Sequence, residues 1–476
     1  MGAEVSFLFA DPTSLDTLQY LLNRSDPGQK LKPIGMKQIA IGSDAIHSLP
    51  GMVDRFGDGG TIAIAIDTTP MHREGQNLKD YVGQMLRSRY AVKEVVLGHP
   101  DEELHADEAT IASASLAFDG INCVVVVGSG TIVDVCKEAL GPSPNRSLIV
   151  VQTAASVNAF SDDMAVLLKA GVKRTVPSRW PDALLIDLET IAGAPAAMNI
   201  AGFGDLMAMW TAPVDWYLAH VIGMNRQYHH APPAMLRGQG RQLLDQAGQL
   251  AERKPEALEL LAKVLTLSGI SLGVAGSTAP LSGTEHLISH MIDMSAGKRP
   301  LALHGAQVAA AAIVVAATWE KVLDELVPDN IDIDRCFPML EDVKPLIRQA
   351  FDRIDPSGGV AAECLNDYAV KLASWHDNRQ GLQDFLAQWP QHKEQLRSML
   401  ISPEEMGRAL SAAGAPLKFA DLTPSIPGDT VRWAVANCHL MRNRFTLADF
   451  LFYIGWWNDA AIDDIFARAA KAGGGL

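Results

Sequence analysis

The stretch "SGTEHLISHMID" (282–293) sets His286 and His290 four residues apart, and "LALHG" adds His304 just before a glycine. Positions i and i+4 of an α-helix lie one above the other, so the first two imidazoles face the same way. Such a pair suits a helical metal site, and it equally suits two histidines that merely share a helix face. A second stretch, "VVVVGSGTIVDVCKEA" (124–139), reads as a buried strand, a tight Gly-Ser-Gly turn and a helix beginning near Thr131. Gly128 and Gly130 let the backbone approach a ligand closely, and the free N–H groups of a new helix suit a phosphate. The loop, Gly128 to Thr131, is neither a GxGxxG fingerprint nor a P-loop. Asp134 and Lys137, three apart, share a face of the following helix, and Asp134 is grouped with the loop as a cofactor-binding residue. Asp67 ends the strand "TIAIAID", where doubly wound folds often place an acid that holds a ribose; a plain turn residue fits there too.

The elements that must position these residues are legible as patterns. "KQIAIG" (37–42), "TIAIAID" (61–67), "VKEVVLG" (92–98), "NCVVVVG" (122–128), "SLIVVQT" (147–153) and "ALLIDL" (183–188) are short apolar runs of the buried parallel kind. "DEELHADEATIASASLAFDG" (101–120) reads as a crossover helix between two of them. Strand–helix alternation predicts a parallel sheet with helices on its faces. Beyond about residue 196 the strands stop and helical stretches take over, broken by turn-rich "DPSGG" and "LTPSIPGD". The expected architecture is an α/β Rossmann-like domain over 1–195 and an all-α domain over 196–476, with the ligand in the cleft between them.

Composition bounds the function. At 476 residues, 48% hydrophobic and 20% charged, the chain has material for more than one core. A net charge of −15 without a Lys/Arg block argues against nucleic acid and anionic membranes. Five scattered cysteines without a CxxC spacing predict reduced thiols and a cytoplasmic protein. The start lacks a signal-peptide pattern; its Gly2/Ser6 match to a myristoylation motif has no polybasic companion. The apolar run "VAAAAIVVAATW" (308–319) is too short to span a bilayer, so no membrane insertion is expected.

"GSGTIVDVCK", "QTAASVNAFSDD", "GFGDLMAMWTAPVDWYLA", "SGTEHLISHMIDM" and "LHGAQV" follow the order and spacing of metal-dependent glycerol and glycerol-phosphate dehydrogenases. That superfamily includes iron-type alcohol dehydrogenases and dehydroquinate synthases. The chain most resembles bacterial glycerol-1-phosphate dehydrogenases, through "DLETIAGAPAAMNIAGFGD", "AGKRPLALHG" and "MRNRFTLADFL". The first 30 residues and roughly 325–420 carry no matching motif. The resemblance implies one divalent metal, Zn, Ni or Fe, held by Asp205, His286 and His304. It implies NAD or NADP at Gly128, Ser129, Gly130 and Thr131, with Thr153 and Ser156 at the nicotinamide end. His290 falls beside the metal, and it is with Asn158 a candidate catalytic residue. A homo-oligomer, a dimer, is expected.

The expected reaction is metal- and NAD(P)-dependent interconversion of a polyol or polyol phosphate with its ketone. The alternatives are a dehydroquinate-synthase-like lyase or cyclase and a non-catalytic nucleotide-binding relative. Three departures from the family pattern lie in the substrate pocket. Asn158 replaces an aspartate, Met209 replaces a lysine, and "TAPLSG" (278–283) has no arginine before its Ser-Gly. Losing two cations argues against the usual phosphate ester unless Lys298, Arg299, Arg442 or Arg444 supplies the charge. Asp162 or Asp163 could stand in for the missing carboxylate.

Overall fold

The computed structural model describes residues 6–8, 10–99, 104–158, 160–169, 172–297 and 299–476. Gly2 and Lys298, named above, lie outside the described residues. Six strands form one parallel sheet: β1 (Gln38–Gly42), β2 (Ile62–Ile66), β5 (Val92–Val96), β6 (Cys123–Gly128), β7 (Ser147–Gln152) and β10 (Ala183–Asp187), in the order β1-β10-β7-β6-β2-β5. Two short hairpins stand outside it: β3 (His72–Arg73) with β4 (Gln76–Asn77), and β8 (Met164–Lys169) with β9 (Val172–Pro177). All six apolar runs are therefore sheet strands. The β8–β9 hairpin was not expected, because its alternation is interrupted by charge.

Central strands β2, β6 and β10 are buried along their whole length, as continuous Val/Ile/Leu runs predict for a sheet covered on both faces. β5 exposes Lys93 and Glu94, charges that protect an unpaired sheet edge. The crossover helix is Glu108–Ala117, capped by Asp107, whose carboxylate accepts from Thr110 N. Asp187 ends β10 and caps the helix Leu188–Gly193 by accepting from Thr190 N. Buried Arg73 also pairs with it at 2.8 Å, tying the small β3–β4 hairpin to the sheet.

The chain divides into two compact units, one of residues 1–203 with 231–277, the other of 204–230 with 278–476. This differs from a single boundary at 195/196. The helices Ala231–Asp245 and Pro255–Ala275 return to the α/β unit; the second packs beside β1 and the helix Leu188–Gly193, and the first packs on the second. The second of them buries Leu258, Leu261, Val264, Leu265 and Ile270, each contributing roughly 1.5–3 kcal/mol. Gly273 permits the dock: a Cβ there would lie 2.2 Å from the Trp180 ring. The second unit is helical. Its core helix His304–Glu325 contains the apolar run predicted to be buried, and it is. Pro255–Ala275 and His304–Glu325 are long and apolar enough to cross a bilayer, yet both are largely enclosed by protein.

Candidate metal centre and glycine loop

Three residues of the helical unit converge on one point. The helix Ala196–Asp205 tightens into a 3₁₀ turn, Leu206–Trp210, at Asp205. His286 lies in the first turn of the helix Thr284–Ala296, and His304 begins the helix His304–Glu325. Gly204 makes the approach possible: a Cβ there would lie 2.5 Å from Gly305 O and 2.9 Å from Ala309 Cβ. The residues next to this backbone contact are Asp205 and His304, so the two glycines bring two donors together.

Asp205 Oδ1 is buried and accepts no hydrogen bond, and it faces His286 Nε2 at 3.5 Å and His304 Nε2 at 3.8 Å. The three ligand atoms lie within 4.8 Å of one another. Donors placed 2.0–2.2 Å from a tetrahedral ion sit roughly 3.3–3.6 Å apart, so the set fits a divalent metal after small side-chain adjustment.

The outer nitrogens are fixed as well. His286 Nδ1 meets Glu285 Oε1 at 2.9 Å, and Glu285 in turn accepts from Gly283 N at 2.6 Å and Thr211 Oγ1 at 2.9 Å. His304 Nδ1 meets Ser289 Oγ at 3.2 Å, followed by Gln307 at 3.2 Å and then Asp293 at 2.9 Å. Both rings thereby present Nε2 to Asp205, the arrangement in which outer partners orient metal-binding imidazoles. Burial acts to lower the His286 pKa, but Asp205 and Glu285 raise it to about 9. A cation at Nε2 is what this pocket favours, and a metal competes with a proton for that place. Burial would raise Glu285, yet His286 and the backbone N–H groups hold it below its ordinary value.

His290 is buried with its ring centroid 6.3 Å from His286 and 5.8 Å from His304, beside the donor set and outside it. Met209, at the lysine position, is buried. Glu285 and Ser289 were not singled out in the sequence; the signal was present, one residue before one ligand and one turn beyond it on the same helix.

In the α/β unit, β6 runs into the helix Gly130–Leu140 through Ser129, whose side chain makes no cap hydrogen bond. The first N–H groups of that helix have no acceptor within the helix. At Gly128 a Cβ would come 2.2 Å from Ile132 Cγ2, so only glycine lets the strand turn so sharply. Thr153 N donates to Gly128 O at 3.2 Å, and Ser129 Oγ meets Ser156 Oγ at 2.9 Å. Gly128, Ser129, Gly130, Thr131, Thr153 and Ser156 are thus brought to one place. Asn158 is half-buried in the next turn, its carbonyl accepting from Ser161 N.

Two further predicted members have their carboxylates engaged by other partners. Asp134 is buried, with Oδ2 accepting from Val166 N at 3.0 Å under the β8–β9 hairpin. Asp67 pairs with Lys79 at 2.7 Å and accepts from Thr69 N and Oγ1. The lysine compensates its charge. Of the substitute carboxylates, Asp162 is committed to Lys137 at 2.8 Å and Asp163 lies 3.4 Å from Lys32.

Residues 40–195 match the family model described as iron-containing alcohol dehydrogenase. Over 439 residues the chain is 25% identical to the glycerol-1-phosphate dehydrogenase [NAD(P)+] of Bacillus licheniformis, covering 90% of this chain and 93% of that one. Over 240 residues it is 30% identical to the enzyme of the same name from Methanothermobacter thermautotrophicus, covering 49% of this chain and 68% of that one. Among solved structures, a probable glycerol dehydrogenase from Sinorhizobium meliloti matches with a TM-score of 0.58 at 16% identity, over 93% of this chain and 99% of that one. The glycerol dehydrogenase of Schizosaccharomyces pombe matches with a TM-score of 0.54 at 16% identity, over 91% of each chain. The resemblance of motifs, the fold and the sequence relatives agree: the chain belongs to the glycerol-1-phosphate dehydrogenase family.

Proposed function

We propose that the protein is a metal- and NAD(P)-dependent oxidoreductase that interconverts a polyol phosphate with its ketone. The observation that carries this reading is the convergence of Asp205, His286 and His304 on one point, with both imidazoles oriented from behind. These three residues would hold a divalent ion, Zn, Ni or Fe, whose chemistry at this site is that of a Lewis acid on the alcohol oxygen. Asp205 contributes the negative charge, and the two histidines contribute neutral donors fixed by Glu285 and Ser289. His290, next to the donor set, would exchange a proton with the substrate oxygen. Gly128 to Thr131 would seat the cofactor pyrophosphate against free helix N–H groups. Thr153 and Ser156 would meet its nicotinamide end, and Asn158, able to donate and accept, would hold a substrate hydroxyl.

Five free cysteines, all buried, suit a reducing cytoplasm. A homodimer is the assembly we expect, to be read by light scattering. A lyase or cyclase would convert its substrate without net change in cofactor, whereas the proposed enzyme forms or consumes NAD(P)H in step with product. The purified protein should hold about one divalent ion per chain and lose turnover on chelation. Asp205→Ala and His286→Ala should abolish tight metal binding; full stoichiometry in both variants would overturn the assignment.

A further inference from the structure

The cation that the family pattern places before the Ser-Gly turn is absent from residues 278–283, and three described arginines compete to replace it. Arg299 does not reach. Its guanidinium donates to Ala296 O at 3.1 Å and Ser295 O at 2.8 Å, so it caps the C-terminal end of the helix Thr284–Ala296. The Ser-Gly turn is at the other end, roughly 20 Å away at 1.5 Å per residue. Arg444 does reach. Its Nη1 donates to Ser282 O and its Nη2 to Thr278 Oγ1, so a residue remote in sequence occupies the segment that lacks its own arginine.

Both acceptors are neutral. Nε–H and one N–H on each terminal nitrogen have no acceptor among the described residues, and no carboxylate forms an ion pair with the guanidinium there. Burial and neighbouring Arg442 push its pKa down to about 10, against the pull of Glu285 and Asp215. A forked, charged donor set left without an anion matches the planar recognition of a phosphate. Ser282 lies four residues before His286 and just ahead of the helix Thr284–Ala296, so Arg444 meets the same helix end that carries His286.

The loop bearing Arg444 is held on both sides. Lys371, fully buried on the helix Gly359–Asp377, donates to His439 O and pairs with Asp449 Oδ1 at 2.6 Å. Asp449 Oδ2 accepts from Thr446 N at 2.9 Å and Thr446 Oγ1 at 3.1 Å, and Phe445 stacks on Trp375 at 5.4 Å. A buried lysine–carboxylate pair is costly to form and serves placement better than stability. Part of the stretch 325–420, which carries no motif, thus serves to fix this loop.

We propose that Arg444, delivered to the Ser282–Gly283 turn by the C-terminal segment, is the residue that recognises the phosphate of the substrate. This rests on the dehydrogenase reading for the identity of the substrate, though not for the presence of an anion site. The test compares reduction of dihydroxyacetone phosphate with that of dihydroxyacetone by the metal-loaded protein, as wild type, Arg444→Gln and Arg444→Lys. In the glutamine variant the ratio of the two kcat/KM values should fall about tenfold to a hundredfold, through KM for the phosphate ester. The lysine variant, which keeps the charge and loses the fork, should fall between wild type and the glutamine variant. A ratio unchanged by glutamine, or lost equally with lysine, overturns the proposal.

Calorimetric titration with inorganic phosphate separates the two readings. If the wild type reduces neither ketone, the dehydrogenase reading fails. Phosphate binding that weakens in Arg444→Gln still upholds the anion site, and binding that is absent from the wild type or unchanged by the variant overturns it. Should the glutamine variant not fold, the lysine variant decides by the same two measurements.

Discussion

Glu285 reaches the proposed metal centre only through its neighbour. Its carboxylate is buried between Gly283 N, Thr211 Oγ1 and His286 Nδ1, and a Cβ on Gly283 would lie 3.1 Å from Glu285 Oε2 and 2.8 Å from Asp215 Oδ2. The Ser-Gly opening of the motif thus has a steric reason: the turn wraps closely over two carboxylates. Asp215 accepts from Thr284 N and Oγ1 and from Trp319 Nε1. Replacing Glu285 by glutamine keeps the shape and removes the charge that fixes the His286 tautomer. We expect metal affinity to fall about 10–100-fold in a chelator competition, with the melting temperature of the metal-free protein little changed. An affinity within threefold of wild type would mean that His286 needs no such support.

Elements meet the same constraint through their backbones. Gly204→Ala must push the helix Ala196–Asp205 away from Gly305 and Ala309, since the added methyl has 2.5 Å and 2.9 Å where it needs over 3.4 Å. Overpacking of this kind costs about 1–3 kcal/mol, and here it also parts Asp205 from His304. The expected outcome is a lower melting temperature together with loss of tight metal binding; a destabilised variant that still binds metal at full affinity would contradict the geometric role of the glycine.

Beneath the β8–β9 hairpin, Lys137 lies 2.8 Å from Asp162 and 3.9 Å from Asp134. Burial raises the Asp134 pKa to about 7, with Lys137 opposing and Asp162 adding to the shift. A carboxyl whose folded pKa exceeds its unfolded value gives stability that is complete below the unfolded pKa and lost as pH rises through the folded one. Asp134→Asn has no proton to lose. Its melting temperature relative to wild type should therefore climb between about pH 4 and pH 7, by scanning calorimetry. A gap that moves in favour of wild type would show an ionised Asp134 paired with Lys137.

For the whole molecule, the chain leaves the α/β unit after Phe203 and returns to it at Ala231. The helix Pro255–Ala275 then covers part of that unit, with Trp180 lying between Gly35 and Gly273, each of whose Cβ positions would fall 2.2 Å from its ring. A fragment ending at residue 195 lacks this cover and leaves its apolar partners in water. It should aggregate or melt without cooperativity, whereas one ending at residue 277 should show a cooperative thermal transition. Cooperative unfolding of the shorter fragment would show that the returning helices are dispensable.

What the sequence determined by itself was everything carried by short-range pattern. The six parallel strands, the Gly128–Thr131 turn and the long core helix follow from runs of buried residues and from glycine placement, because strand and helix periodicity are local. The group Asp205, His286 and His304, which we propose as metal ligands, was legible through motifs that each lie on one turn of chain. What needed the tertiary structure was each decision that depended on distant partners. Asp134 and Asp67 carry chemistry suited to a cofactor site, and only the fold showed their carboxylates engaged with Val166 and Lys79. The return of residues 231–277 to the first unit has no mark in composition, since a helix buried in one core resembles a helix buried in another. Arg444 has a sequence neighbourhood that says nothing of Ser282, 162 residues earlier. Its place is set by Lys371 and Asp449, and contacts so far apart along the chain exist only once both partners are packed.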